Sequence, residues 1–177
     1  MLDYHIEKKA SILDMAPFLQ LRRNHGLEHA TLHVLSEHQP RRNMAGYSDL
    51  RGFWIVGDIA TTDLRSAVEE ALTRLGNGEY KLAVHPNCGT NFATAGILAG
   101  GVAALSMLGT GKRLRDKLER IPFAMTLATL ALIVAQPLGL RIQEKITTCG
   151  FPGSLKIVSV EPVKRGRMKA HRILTQV

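Results

Sequence analysis

IPFAMTLATLALIVAQPLGL, residues 121–140, runs for twenty positions without a formal charge. A helix of that length is about 30 Å long, which matches the hydrocarbon thickness of a bilayer. A second uncharged stretch, NFATAGILAGGVAALSMLG at residues 91–109, lies just upstream, and no Asp, Glu, Lys or Arg occurs between Lys81 and Lys112. Two such spans joined by a short polar turn predict a transmembrane helical hairpin. A soluble domain of this size rarely wraps two helices that are apolar on every side. Gly96 and Gly100 have the small-xxx-small spacing that lets helix backbones approach closely in lipid. That face is expected to meet a partner helix or a second copy of the chain. Pro122 is expected in the first turn of the second span, and Pro137 near its end, where it would bend or stop the helix.

Charge is distributed around these stretches rather than evenly. The chain has 177 residues, a net charge of +8 and a mean hydropathy of +0.01. Residues 1–81 carry a net −1, the connecting segment 111–120 a net +3, and residues 141–177 a net +6. The isoelectric point near 9.9 therefore arises beside the spans, where basic residues meet anionic lipid headgroups, and no nucleic-acid partner is expected. Lys and Arg of the turn balance those of the flanks, so the positive-inside rule leaves orientation open. The opening MLDYHIEKKASILDM has no apolar signal core. Carrying a folded domain across a membrane without a signal is unfavourable, so both termini of a multi-pass plasma-membrane protein are expected in the cytoplasm.

The flanking sequence reads as α+β. A helix from about Met15 to His38 has apolar positions Phe18, Leu21, Leu27, Leu32 and Leu35, with Asp14 as its cap, Pro17 in its first turn and Gly26 as a weak link. After a polar loop, Phe53–Val56 predicts a strand. A helix from Thr61 or Thr62 to Leu75 follows, closed by Gly76-Asn77-Gly78. Lys81–His85 then predicts a second strand, parallel to the first if both share a sheet. Leu155–Glu161 and Met168–Gln176 predict a hairpin around the basic turn Lys164–Arg167. The expected organisation is a soluble α/β domain at 1–90, the hairpin at 91–140, and a basic β-hairpin at 141–177 packing on the N-terminal domain.

Chemistry concentrates at NHGLEHATLH, residues 24–33, where His25, His29 and His33 recur every fourth position around Glu28. Residues four apart lie on one helix face, and two imidazoles so placed can grip one tetrahedral zinc ion. Glu28 shares that neighbourhood and could act as general base to a zinc-bound water. A second cluster, His85-Pro-Asn87-Cys88-Gly-Thr-Asn91, is a turn offering further ligands. His25, His29 and either His85 or Cys88 would leave one position open for water, whereas all four together would close the shell and make the site structural. His33, Asn87 and Asn91 are expected to support the site without binding metal, and Asp49 or Asp58 could orient an imidazole. His5 and His38 are expected in solvent. Cys88 as a nucleophile trails the metal reading, and the competing view of the whole cluster is a hydrogen-bonded knot. With only Cys88 and Cys149 present, no disulfide scaffold is indicated.

His25-Gly-Leu-Glu28-His29 resembles the H-x-x-E-H motif of the inverzincin metallopeptidases. That resemblance implies zinc ligation by His25 and His29, Glu28 as base, and a further glutamate ligand, for which Glu69 or Glu79 are available. HGLEHAT, RGF at 51–53, HPNCGTN and the two following spans together resemble a domain-of-unknown-function family of small bacterial integral-membrane proteins over residues 20–160. It implies a membrane protein and imports no activity. The functions expected are a membrane-anchored zinc hydrolase, peptidase-like, or a non-enzymatic membrane protein in which the same cluster is a structural metal site or knot supporting helix assembly.

Overall fold

The computed structural model describes residues 11–40, 42–165 and 168–177, with side chains at 164, 165 and 168 left aside; His5 lies outside the described residues. The chain forms two compact units, one holding residues up to His85 together with Glu144–Val177, the other Pro86–Gln143.

In the first unit, helices α1 (Phe18–His38) and α2 (Thr61–Gly76) pack on a four-stranded sheet of β1 (Ala45–Asp49), β2 (Gly52–Val56), β3 (Lys156–Arg165) and β4 (Met168–Gln176). Strand order is β1-β2-β4-β3 and every pairing is antiparallel. Register sets the inner face. Phe53 pairs with Ile173 and Ser48, and Ile173 pairs with Val160, so the four share one side of the sheet. Phe53 and Ile55 on β2, Leu27, Val34 and Leu35 on α1, and Leu64, Val68 and Leu75 on α2 are all almost fully buried. Each such side chain contributes about 1.5–3 kcal/mol by leaving water.

Several expectations change here. Lys81–His85 is not a strand. Tyr80–Ala83 forms a 3₁₀ turn, so no parallel strand–helix–strand unit exists among the described residues. The place beside β2 is taken from the C-terminus instead, by β4. β1 was not predicted, because AGYSD lacks apolar alternation; pairing with β2 makes it a strand. Asp14 does not cap α1. It sits in a short 3₁₀ turn, and its carboxylate pairs with Arg22 at 3.1 Å.

The second unit is two packed helices, α3 (Gly89–Ser106) and α4 (Leu114–Ile142). Asn91 at the start of α3 accepts a 2.5 Å hydrogen bond from Gln143, just past α4, so the helices run antiparallel. α4 begins seven residues before the predicted span, which puts Pro122 and Pro137 inside the helix, and neither ends it. Among the described residues, one helix is long and apolar enough to cross a membrane: α4 with the π turn Gln143–Thr147 that continues it, mean hydropathy 1.8. This corrects the two-helix transmembrane hairpin at 91–109 and 121–140. α3 has 18 residues, about 27 Å of helix, and around Phe92 its first turns are diluted by Thr90, Asn91, Thr94 and glycines. Gly96 and Gly100 have nothing within 4 Å of where a Cβ would stand, so they do not face α4.

Candidate metal centre

The four-residue spacing of the histidines becomes one face once α1 forms. His25 and His29 stack with ring centroids 4.4 Å apart and planes inclined by 60°. His85 joins from the loop after the 3₁₀ turn, its ring 5.7 Å from His29 and 4.9 Å from His33. The first unit thus assembles four imidazoles in the order His25, His29, His85, His33.

Their hydrogen bonds define which nitrogen can bind a cation. His25 Nδ1 lies 3.0 Å from the carbonyl oxygen of Thr147, and His29 Nδ1 lies 2.8 Å from that of Ala83. A carbonyl only accepts, so Nδ1 carries the hydrogen in both rings and the lone pair of the neutral imidazole is on Nε2. His33 is turned the other way: its Nε2 donates to Val84 O at 2.9 Å. The misread strand explains itself here. A strand would spend the Ala83 and Val84 carbonyls on a ladder; the turn aims them at α1.

The Thr147 carbonyl is held with equal care. Cys149 N donates to Arg22 O at 2.9 Å, while the Arg22 guanidinium donates to Lys145 O at 3.2 Å and Thr148 O at 3.1 Å. Gly26 makes the approach possible, because a Cβ there would stand 2.4 Å from Cys149 O. The supposed weak link of α1 is the point where segment 147–149 presses against the helix. Arg22, Gly26, Ala83 and Thr147 were not legible as site residues. The only signal was an arginine and a glycine on an otherwise well-formed helix, four residues apart.

Glu28 is 4% exposed. It points under β1, where Ser48 donates a short hydrogen bond to Oε2 and Gly46 leaves the room its carboxylate fills. Gly46 and Ser48 both lie on the inner face of β1. Burial raises the Glu28 pKa, only partly offset by the Ser48 hydrogen bond and the charge of His25. His85 is pushed down to about 4, first by burial and then by His33 and His29, so it is neutral at physiological pH. Neutral imidazole is the form that binds metal.

Cys88 opens the second unit. It is the N-cap of α3, with Sγ accepting from Thr90 N at 3.4 Å, and it is buried. Within the first unit, His25 and His29 offer two nitrogens that could hold a metal ion. Neither cysteine is in a disulfide. Asn87 is exposed, and Asn91 spends its side chain on Pro86 O and Gln143. Asp49 pairs with Arg172 and Asp58 with Lys169, so both are committed away from the imidazoles. Glu79 pairs with Arg74, Glu69 is exposed on α2, and His38 is exposed and paired with Glu70.

Residues 20–160 match the family described as Domain of unknown function (DUF6391). An uncharacterized protein of Picosynechococcus sp. (strain PCC 7002) is 36% identical over 167 residues, covering 84% of this chain and 77% of that protein. No solved structure matches. A family match over most of the chain and a relative of that identity lead to one conclusion: the chain belongs to the DUF6391 family.

Proposed function

We propose that the protein is a zinc-dependent hydrolase, peptidase-like, whose ion is held by Nε2 of His25 and Nε2 of His29. The observation that carries this reading is the pair of hydrogen bonds from His25 and His29 Nδ1 to the Thr147 and Ala83 carbonyls. A ring nitrogen hydrogen-bonded to a carbonyl is how proteins orient imidazoles for metal. Two nitrogens leave the other positions of a tetrahedral ion open to water and substrate.

Zinc bound there would supply Lewis acidity and an acidified water. The chain's own contribution is Glu28. Its buried carboxyl, with a pKa raised above the ordinary range, is suited to take a proton and return it to a leaving group. Ser48 holds that carboxylate by a hydrogen bond to Oε2. We place the protein at the plasma membrane, with α4 as the helix that meets the bilayer and the sheet-bearing unit in the cytoplasm. The exposed Leu130, Leu132, Ile133 and Val134 of α4 support that placement.

One observation favours a second reading. His85 lies 5.7 Å from His29, near enough to supply a further ligand and help close the shell as a structural centre. Metal analysis of detergent-purified protein, followed by hydrolysis assays on a peptide library, decides between them. The hydrolase reading expects bound zinc that is lost in His25→Ala/His29→Ala, and a Glu28→Gln variant that keeps zinc but loses hydrolysis. Wild type as poor in zinc as the double variant ends both metal readings. Glu28→Gln activity equal to wild type leaves the structural one.

A further inference from the structure

The histidine row runs one station beyond the ion proposed above. His33 and His85 face each other with centroids 4.9 Å apart and planes inclined by 57°. A ring nitrogen about 2 Å from zinc puts its ring centroid about 3.2 Å out, so two rings on one tetrahedral ion have centroids about 5 Å apart. The pair therefore already has the spacing a shared ion requires. Nδ1 carries the His33 lone pair, because Nε2 donates to Val84 O. The two rings come from different elements, α1 and the loop after the 3₁₀ turn. Both residues are half-buried, whereas His29 is 2% exposed.

We propose that His33 and His85 form a second position for a zinc-like divalent cation, adjoining the His25/His29 position and more open to solvent. Two imidazoles and no sulfur select borderline cations such as zinc, nickel or copper over magnesium or calcium. Water fills the remaining positions, and the greater exposure to solvent makes this position the weaker of the two. This position fills last and empties first. It rests on the proposed function only in leaving His25 and His29 to a separate ion.

Metal titration of full-length, detergent-solubilised, metal-free protein tests it, with cobalt as an optical stand-in for zinc. The expected result is two equivalents in wild type. His33→Ala and the milder His33→Gln should each lose the second equivalent and keep the first, and His25→Ala/His29→Ala should lose the first, while circular dichroism shows the variants folded. One equivalent in wild type and in both variants overturns the second position and leaves the hydrolase reading standing. Two equivalents retained in both variants overturn it also. If His25→Ala/His29→Ala loses nothing while His33→Gln loses an equivalent, the outer position stands and the inner one falls. No binding at all overturns both.

Discussion

Gly26 and Cys149 are in backbone contact: the carbonyl oxygen of Cys149 stands 2.4 Å from where any larger residue at position 26 would place its Cβ. That contact seats the segment whose Thr147 carbonyl orients His25. Gly26→Ala should therefore act against its helix propensity. Alanine would normally stabilise a mid-helix position by up to about 1 kcal/mol. Here the clash with backbone should cost about 1–3 kcal/mol net, and weaken zinc as Thr147 moves. Urea unfolding and zinc titration measure the two effects. A stabilised Gly26→Ala protein would show that the 147–149 segment is not pressed on α1.

Arg22 should be as important as any ligand. Its guanidinium, 9% exposed, meets Asp14 and the carbonyls of Leu13, Lys145 and Thr148. Lysine is a point charge and cannot span this fork of acceptors. We expect Arg22→Lys to cost about 2–4 kcal/mol by leaving buried acceptors unpaired. Zinc affinity should drop about 10–100-fold, as when an outer-shell partner is removed. Isothermal titration of the folded variant reads this directly, and unchanged affinity would separate Arg22 from the centre.

Glu28→Gln predicts a stability change with a sign. The folded Glu28 pKa is raised, by burial first, so the fold prefers the protonated carboxyl. Its contribution is present below the unfolded pKa of about 4.3 and is lost as pH rises through the folded value. Neutral glutamine should thus melt higher than wild type at pH 8, with the difference shrinking toward pH 4. Thermal melts at both values test it. A variant less stable at pH 8 than at pH 4, relative to wild type, would mean Glu28 is a stabilising charge rather than one kept at a cost for chemistry.

His171 predicts acid sensitivity away from the centre. It lies on the inner face of β4, 4% exposed, with Nε2 3.0 Å from Thr61 Oγ1 and Nδ1 buried without a hydrogen-bond partner. Burial lowers its pKa. The folded state therefore binds its proton less well than the unfolded chain, and stability falls as pH drops below the unfolded value of about 6.5. Urea midpoints measured from pH 7 to pH 5 should decline, and His171→Gln should flatten that decline. An identical slope in the variant would assign the acid sensitivity elsewhere.

What the sequence determined by itself was local. Period-3.6 stripes marked α1 and α2, Asn77-Gly78 marked the end of α2, and the apolar pattern around a basic turn marked β3 and β4. The histidine spacing placed His25, His29 and His33 on one face, because a helix converts an interval of four into adjacency. Contacts between distant segments were decided only in the folded chain. β1 exists because β2 offers it a ladder, residues 81–85 abandon a strand because Ala83 and Val84 have imidazoles to accept from, and Gly26 is there for Cys149. Hydrogen bonds and close approaches between residues some 50 to 120 positions apart leave no periodic trace in the sequence. Their partners are named by geometry alone.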